Sequence, residues 1–384
     1  MKKATFIILC LEGAILSFNV AASAALIPSI SKEFATPQFI TARIVWLYML
    51  PYGLAALFYG PMARAIDAKK LEFFCLALFS IANFLAGISR DITALFIARF
   101  LMGIFGASVI PLALILIANQ VSQNKRGKSI GLFFSSTFVA SLLGLFLSGL
   151  IPWRWLFLIP AAAGFICCPF LLFYLPSFKP EGGGFKMDYL SAFKDKRVAT
   201  LFGYIFFISM FYHGVQQWLG VYFSVHRGFS QFLISMLITL TSLSGIFGEA
   251  AGGMLSDKFG RLKTVNSGLI LMIVSVFALL LKSPVLVLTI LMIAWGTGWT
   301  FNHAGISAML TDLPKGFLNE AASLNSSVRF VSGGLGAALG GILMQNNFNL
   351  GFMFFGTCFL FLLFLTKAHP NLSDGLVRTF ARRV

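Results

Sequence analysis

Charge is what this 384-residue chain has least of. Asp, Glu, Lys and Arg make up 11% of it, against about 25% in soluble globular proteins. Acids are scarcest, with 13 Asp and Glu against 29 Lys and Arg. Histidines number four and cysteines five. Cys10, Cys75, Cys167, Cys168 and Cys358 all fall in apolar stretches with no metal-ligand spacing. They read as small buried hydrophobes, so no disulfide framework, metal or cofactor is expected. No Gly-x-x-x-x-Gly-Lys-Ser/Thr segment occurs, which disfavours a nucleotide-driven pump. His213, His226, His303 and His369 are scattered, so a membrane-embedded enzyme is the weak alternative. A channel would need a ring of like groups, and neither half of the chain repeats one.

Apolar residues, by contrast, reach 58%, with 44 Phe and a mean hydropathy of +0.88. A water-soluble chain has no surface on which to hide that much apolar side chain, so the solvent must be lipid. The Phe excess is expected to face it. A crossing needs about 20 apolar residues. Twelve stretches qualify, near 4–30, 42–62, 71–89, 92–119, 128–150, 155–175, 199–224, 231–255, 265–281, 285–310, 319–345 and 349–366. The first imitates a signal peptide, but Glu12 interrupts its apolar core, and it is expected to be retained.

The net charge of +16 would suggest nucleic acid in a soluble chain. Here the cations sort by side of the membrane, and no nucleic-acid partner is expected. Of the 29 Lys and Arg, 21 fall in connections on the side of the N-terminus, six on the other, and Arg99 and Arg329 lie inside spans. The positive-inside rule then puts both termini in the cytoplasm. The longest connection, 176–198, carries Gly182-Gly183-Gly184 and separates six spans from six. The expected domains are a bundle over 1–175, a cytoplasmic linker over 176–198, a second bundle over 199–366 and a tail over 367–384.

The loop after the eighth span opens on Gly253 and continues through Asp257, Lys258, Gly260 and Arg261; the loop after the second opens on Gly60 and carries Arg64 and Asp67. These glycines stand half a chain apart, the mark of an internal repeat. Gly253–Arg261 resembles the signature loop of the major facilitator superfamily (Gly-x-x-x-Asp-Arg/Lys-x-Gly-Arg/Lys). Arg99 with Gly103, Lys125–Lys128, Trp153-Arg154-Trp155, and Leu324–Arg329 followed by Gly333 to Gly341 resemble softer motifs of that family. The resemblance covers the whole length. It implies an all-α membrane protein of twelve transmembrane helices in two pseudo-symmetric six-helix bundles, rocking about a central site in the lipid bilayer, and a monomer. Two departures stand out. Arg64 occupies the place of the first-half Asp, and the Gly-Pro pair that drug–proton antiporters carry in the fifth span is missing near Ala140 and Ser141.

Ionisable groups in hydrocarbon are costly and need a reason. Glu12 in the first span is expected to carry a proton and Arg99 in the fourth to modulate it, with Asn19 at the depth of Arg99 and able to hydrogen-bond it. His213, Gln216 and Gln217 share one helical stripe; Trp295, Trp299 and Asn302 share another. With Asn19 and with Arg329 at mid-depth they form the expected substrate-binding set, although Arg329 also suits a structural bond to Asn325. Glu249 reads as a cap or a partner of Arg261 or Lys263. Gly60, Arg64, Gly253, Asp257, Lys258, Gly260 and Arg261 are expected to form conformational latches, Asp257 against the start of the fifth span and Arg64 against Asp312 or Glu320. The expected function is secondary active transport of a small organic or drug-like molecule, with proton-coupled efflux first. Uptake or facilitated diffusion of a metabolite is the alternative.

Overall fold

The structure, a computed structural model, describes residues 2–177, 189, 193–311 and 318–368. Helix dominates because the backbone's polar groups have no water partner in lipid and must be satisfied within each segment. Among the described residues, eleven helices are long and apolar enough to cross a membrane. The first expected span is instead built in two pieces, α1 (Lys3–Ser17) and α2 (Ser23–Glu33), so a count of twelve crossings remains consistent. The remaining long helices of the first half are α3 (Arg43–Ala65), α4 (Ala68–Gly87), α5 (Ile92–Gly106), α6 (Val109–Gln120), α7 (Gln123–Leu147) and α8 (Trp155–Tyr174). The long helices of the second are α9 (Lys196–Gln216), α10 (Gln231–Phe259), α11 (Arg261–Ala278), α12 (Val285–Thr311), α13 (Leu318–Met344) and α14 (Phe348–Ala368).

The chain divides into two compact units, Met1–Met187 with Gly220–Ser235, and Asp188–Leu219 with Met236–Val384. In the first, α1 packs on α7 and α8, α3 on α5, and α4 on α5 and α8. In the second, α9 packs on α13, and α11 on α12 and α14. Counted as spans, both units pair their first helix with the fifth and their third with the fourth and sixth, so the repeat suggested by the glycine loops extends to packing.

Close approach explains several motif residues. A Cβ on Gly144 of α7 would lie 1.6 Å from the Phe18 carbonyl oxygen, so α7 presses its bare backbone against the α1–α2 break. Arg154 at the start of α8 pairs with Glu33 at 2.7 Å and donates to the Gly87 and Ser89 carbonyls at 2.9 and 2.8 Å, tying α2, α4 and α8 together. The α9 terminus is capped by Asp195, which accepts from the Arg197 backbone at 2.8 Å. Hydrogen bonds from the Arg197 side chain and backbone hold that carboxyl below the usual carboxylate range. The Phe excess divides. Phe173 and Phe247 are exposed, whereas Phe79, Phe133, Phe157 and Phe355 are fully buried.

Candidate functional site

Glu12 sits two-thirds of the way along α1 and is completely buried. Its neighbour is an acid that the sequence reading passed over, Glu72, one turn into α4 and 1% exposed. The two carboxyl groups face each other. Among the described residues, none of their four oxygens receives a hydrogen bond from another group. Their surroundings are Cys75 on α4, Cys167 and Cys168 on α8, and Tyr59 on α3. None of these supplies a compensating positive charge. Two carboxylates facing each other in hydrocarbon repel strongly; one shared proton removes the repulsion and supplies the missing donor. Glu72 escaped the sequence reading because Lys69 and Lys70 precede it and the third apolar stretch begins at 71, so it resembles the polar rim of a span.

Arg99 does not join this pair. It is 1% exposed, its Nε donates to the Ile44 carbonyl at 2.9 Å, and its guanidinium lies 4.4 Å from the Tyr48 ring centroid. The reason is packing: α5 is laid on α3, not on α1. Gly103, one turn further on, makes this possible, since a Cβ there would come within 2.4 Å of the Tyr48 carbonyl oxygen. Asn19 likewise bonds elsewhere than expected. It lies in the α1–α2 break and donates to Asn83 Oδ1 on α4 at 2.6 Å.

In the second unit, α9, α12 and α13 bring most of the expected wall together. Tyr212, which the stripes did not single out, stacks on both indoles, 5.1 Å from Trp295 and 3.9 Å from Trp299, each at 13°. Trp295 Nε1 donates to Gln216 Oε1 at 2.7 Å, and Gln217 Nε2 lies 3.1 Å from His213 Nδ1. Arg329 reaches the cluster from α13. Its guanidinium is 5.9 Å from the Trp299 centroid, and its Nε donates to Asn325 Oδ1 at 2.9 Å, the structural bond the spacing allowed. Its Nη1 and Nη2 are buried and find no acceptor among the described residues. Glu249 departs from its expected partners; it lies 2.7 Å from His303 Nδ1 and faces Arg329. Asn302 is fully buried and donates to the Tyr204 hydroxyl at 2.7 Å, which makes it a tie between α9 and α12.

The signature loop has a local explanation. Gly260 separates α10 from α11 with a φ of +95°, a conformation that side chains disfavour. Asp257 faces Arg261 across this turn, and Lys258 Nζ lies 5.2 Å from the Phe259 ring. Gly253 is different: a Cβ there meets nothing within 4 Å. Gly60 precedes Pro61 within α3. Asp312 and the side chains of Arg64 and Glu320 lie outside the described residues. Among those described, no three His, Cys, Asp or Glu are placed to hold a metal ion.

Membrane-length helices, the same helix pairing in both units and ionisable groups within the spans define a multi-pass membrane protein of the carrier type. The chain belongs to the Major Facilitator Superfamily, whose family model matches residues 9–341 and 233–375, and it is a transporter of that family. The uncharacterized MFS-type transporter YbcL of Bacillus subtilis (strain 168) is 27% identical over 349 residues, 87% of this chain and 88% of its own. Multidrug resistance protein 3 of the same organism is 29% identical over 139 residues, 34% of this chain and 27% of its own. The solved structure of a mutant form of the nucleoside transporter NupG shares the fold, with a TM-score of 0.74 at 16% identity, covering 95% of this chain and 99% of its own.

Proposed function

We propose that the chain exports a small organic compound across the cytoplasmic membrane in exchange for protons, by alternating access, as a monomer with both termini in the cytoplasm. The observation that carries the reading is the facing pair Glu12 and Glu72, buried without a cation. Such a pair is costly unless protonated, and proton carriage is a common reason for acids inside a span. Taking up a proton relieves the repulsion; releasing it restores the repulsion, so occupancy by a proton changes how tightly α1 holds α4. Export, rather than uptake, draws on the partial similarity to Multidrug resistance protein 3. NupG, a nucleoside transporter by name, shares the fold alone and selects no cargo.

The test is flux in proteoliposomes with an imposed pH gradient and a panel of organic cations, neutral compounds and organic acids. Inside-acid vesicles of the wild-type protein accumulate the transported compound. Glu12→Gln and Glu72→Gln each reduce accumulation to the level without a gradient, while downhill exchange of the compound persists. Equal wild-type flux with and without the gradient would instead support facilitated diffusion.

A further inference from the structure

The second unit holds a cation whose hydrogen-bonding capacity is largely unused. An arginine offers five N–H donors in a planar fork. At Arg329 the Nε donor is committed to Asn325, and the guanidinium carbon stands 5.9 Å from the centroid of the Trp299 ring. The two Nη groups, which form the end of the fork, are buried, and no acceptor reaches them among the described residues. Buried donors without acceptors are expensive, more so when charged. The acid that faces this guanidinium, Glu249, is engaged with His303 at 2.7 Å. The other neighbours of Arg329 add no anion: His213 is close by, beside Gln217.

We infer that Arg329 is a subsite for the carboxylate of an organic acid, with the acid's planar body lying against Trp299 and His213. A carboxylate matches the Nη fork with two parallel hydrogen bonds, which a neutral amide cannot reproduce. Trp299 and His213 are both half-buried, so each keeps accessible ring surface. Stacking by Tyr212 at 3.9 Å and the edge-on contact of His213 with Trp299 at 5.9 Å hold the aromatic wall in place. Arg329 itself is oriented from behind by Asn325, and its backbone carbonyl accepts from Ser209 at 2.9 Å. The fork is therefore set before a ligand arrives, which lowers the ordering cost of binding.

This inference rests on the chain being a carrier of small organic compounds, and its test reads occupancy rather than movement. Purified full-length protein in nanodiscs is titrated calorimetrically with 1-naphthoate and, separately, with 1-naphthamide. The acid is expected to bind and the amide to bind roughly 10- to 150-fold more weakly, the range for a lost charged hydrogen bond. Arg329→Gln should remove that preference, and Arg329→Lys, which keeps the charge but not the fork, should retain part of it. Equal binding of acid and amide by the wild-type protein, or no binding of the acid, overturns the subsite, and neither result depends on whether a variant folds. Full acid preference in a folded Arg329→Gln protein overturns it as well. Glu12→Gln protein should keep the acid preference. Loss of gradient-driven flux in that variant with naphthoate binding intact separates coupling from recognition, so either reading can fail alone.

Discussion

Arg99, Glu12 and Glu72 are all buried ionisable side chains within spans, and they solve the same problem in different ways. Arg99 sets its Nε against a carbonyl at 2.9 Å and its guanidinium over an aromatic face at 4.4 Å, with Nη1 left buried and without an acceptor among the described residues. Among the described residues, Glu12 and Glu72 find no donor but each other, so on the proposed reading their state follows a mobile proton. Substitution should therefore separate them. Arg99→Gln leaves the Tyr48 face uncovered and the Ile44 carbonyl more weakly bonded, and should cost about 4 kcal/mol of stability, the sum of a charged hydrogen bond and a desolvated cation–π contact. Its surviving folded fraction should retain pH-gradient-driven flux. Glu72→Gln removes the repulsion of two facing acids and should match or exceed the wild-type melting temperature in detergent, yet lose the response to the gradient. A stable Arg99→Gln protein that had lost coupling would reverse the two assignments.

At the scale of elements, the signature loop shows how one motif combines residues held by different constraints. Gly260 is fixed by a φ of +95° with a ψ of 149°; an alanine there pays about 1–3 kcal/mol for a backbone region that is essentially glycine-only, and Gly260→Ala should lower the melting temperature accordingly. Gly253 has open space around a built Cβ within the long helix α10. Gly253→Ala should be neutral or stabilising by up to about 1 kcal/mol, the helix-propensity gain over glycine. If Gly253→Ala nevertheless abolishes flux in a well-folded protein, its glycine serves a conformation other than this one. These contrasts also mark what could be read from the chain. Helix existence was legible because each span announces itself by composition, and the repeat was legible because Gly60 and Gly253 stand half a chain apart. The α1–α2 break was not, since Ser17, Asn19 and Ser23 leave the stretch apolar overall, and the close approach that accompanies the break comes from another helix, at Gly144. The stripes on α9 and α12 were legible from periodicity. Tyr212 was missed because it stands beside the stripe, and Glu72 because two lysines disguise it. Pairings such as Glu12 with Glu72 depend on which helices touch, and no spacing within either helix encodes that.

For the whole molecule the governing asymmetry is electrical. Lys and Arg outnumber Asp and Glu by 29 to 13, and folding in lipid does not require this surplus, because most of these cations sit in connections rather than between helices. Insertion can use it: cations near the ends of spans resist translocation, so the side richer in Lys and Arg is expected in the cytoplasm. In that orientation the same charge would lie beside an anionic leaflet, at about 1 kcal/mol per cation near the surface. This sorting has a direct consequence for accessibility. Lys125, in the first turn of α7, and Lys282, between α11 and α12, are both exposed, yet an odd number of spans should place them on opposite sides. In a background with the five cysteines replaced, Lys125→Cys should react with a membrane-impermeant maleimide only after the cells are permeabilised, while Lys282→Cys should react in intact cells. Labelling of both from the outside would mean the span count between them is even. Labelling of Lys125→Cys alone would mean the chain is inserted the other way up, and that the arginine and lysine bias had been overridden by some other determinant of orientation.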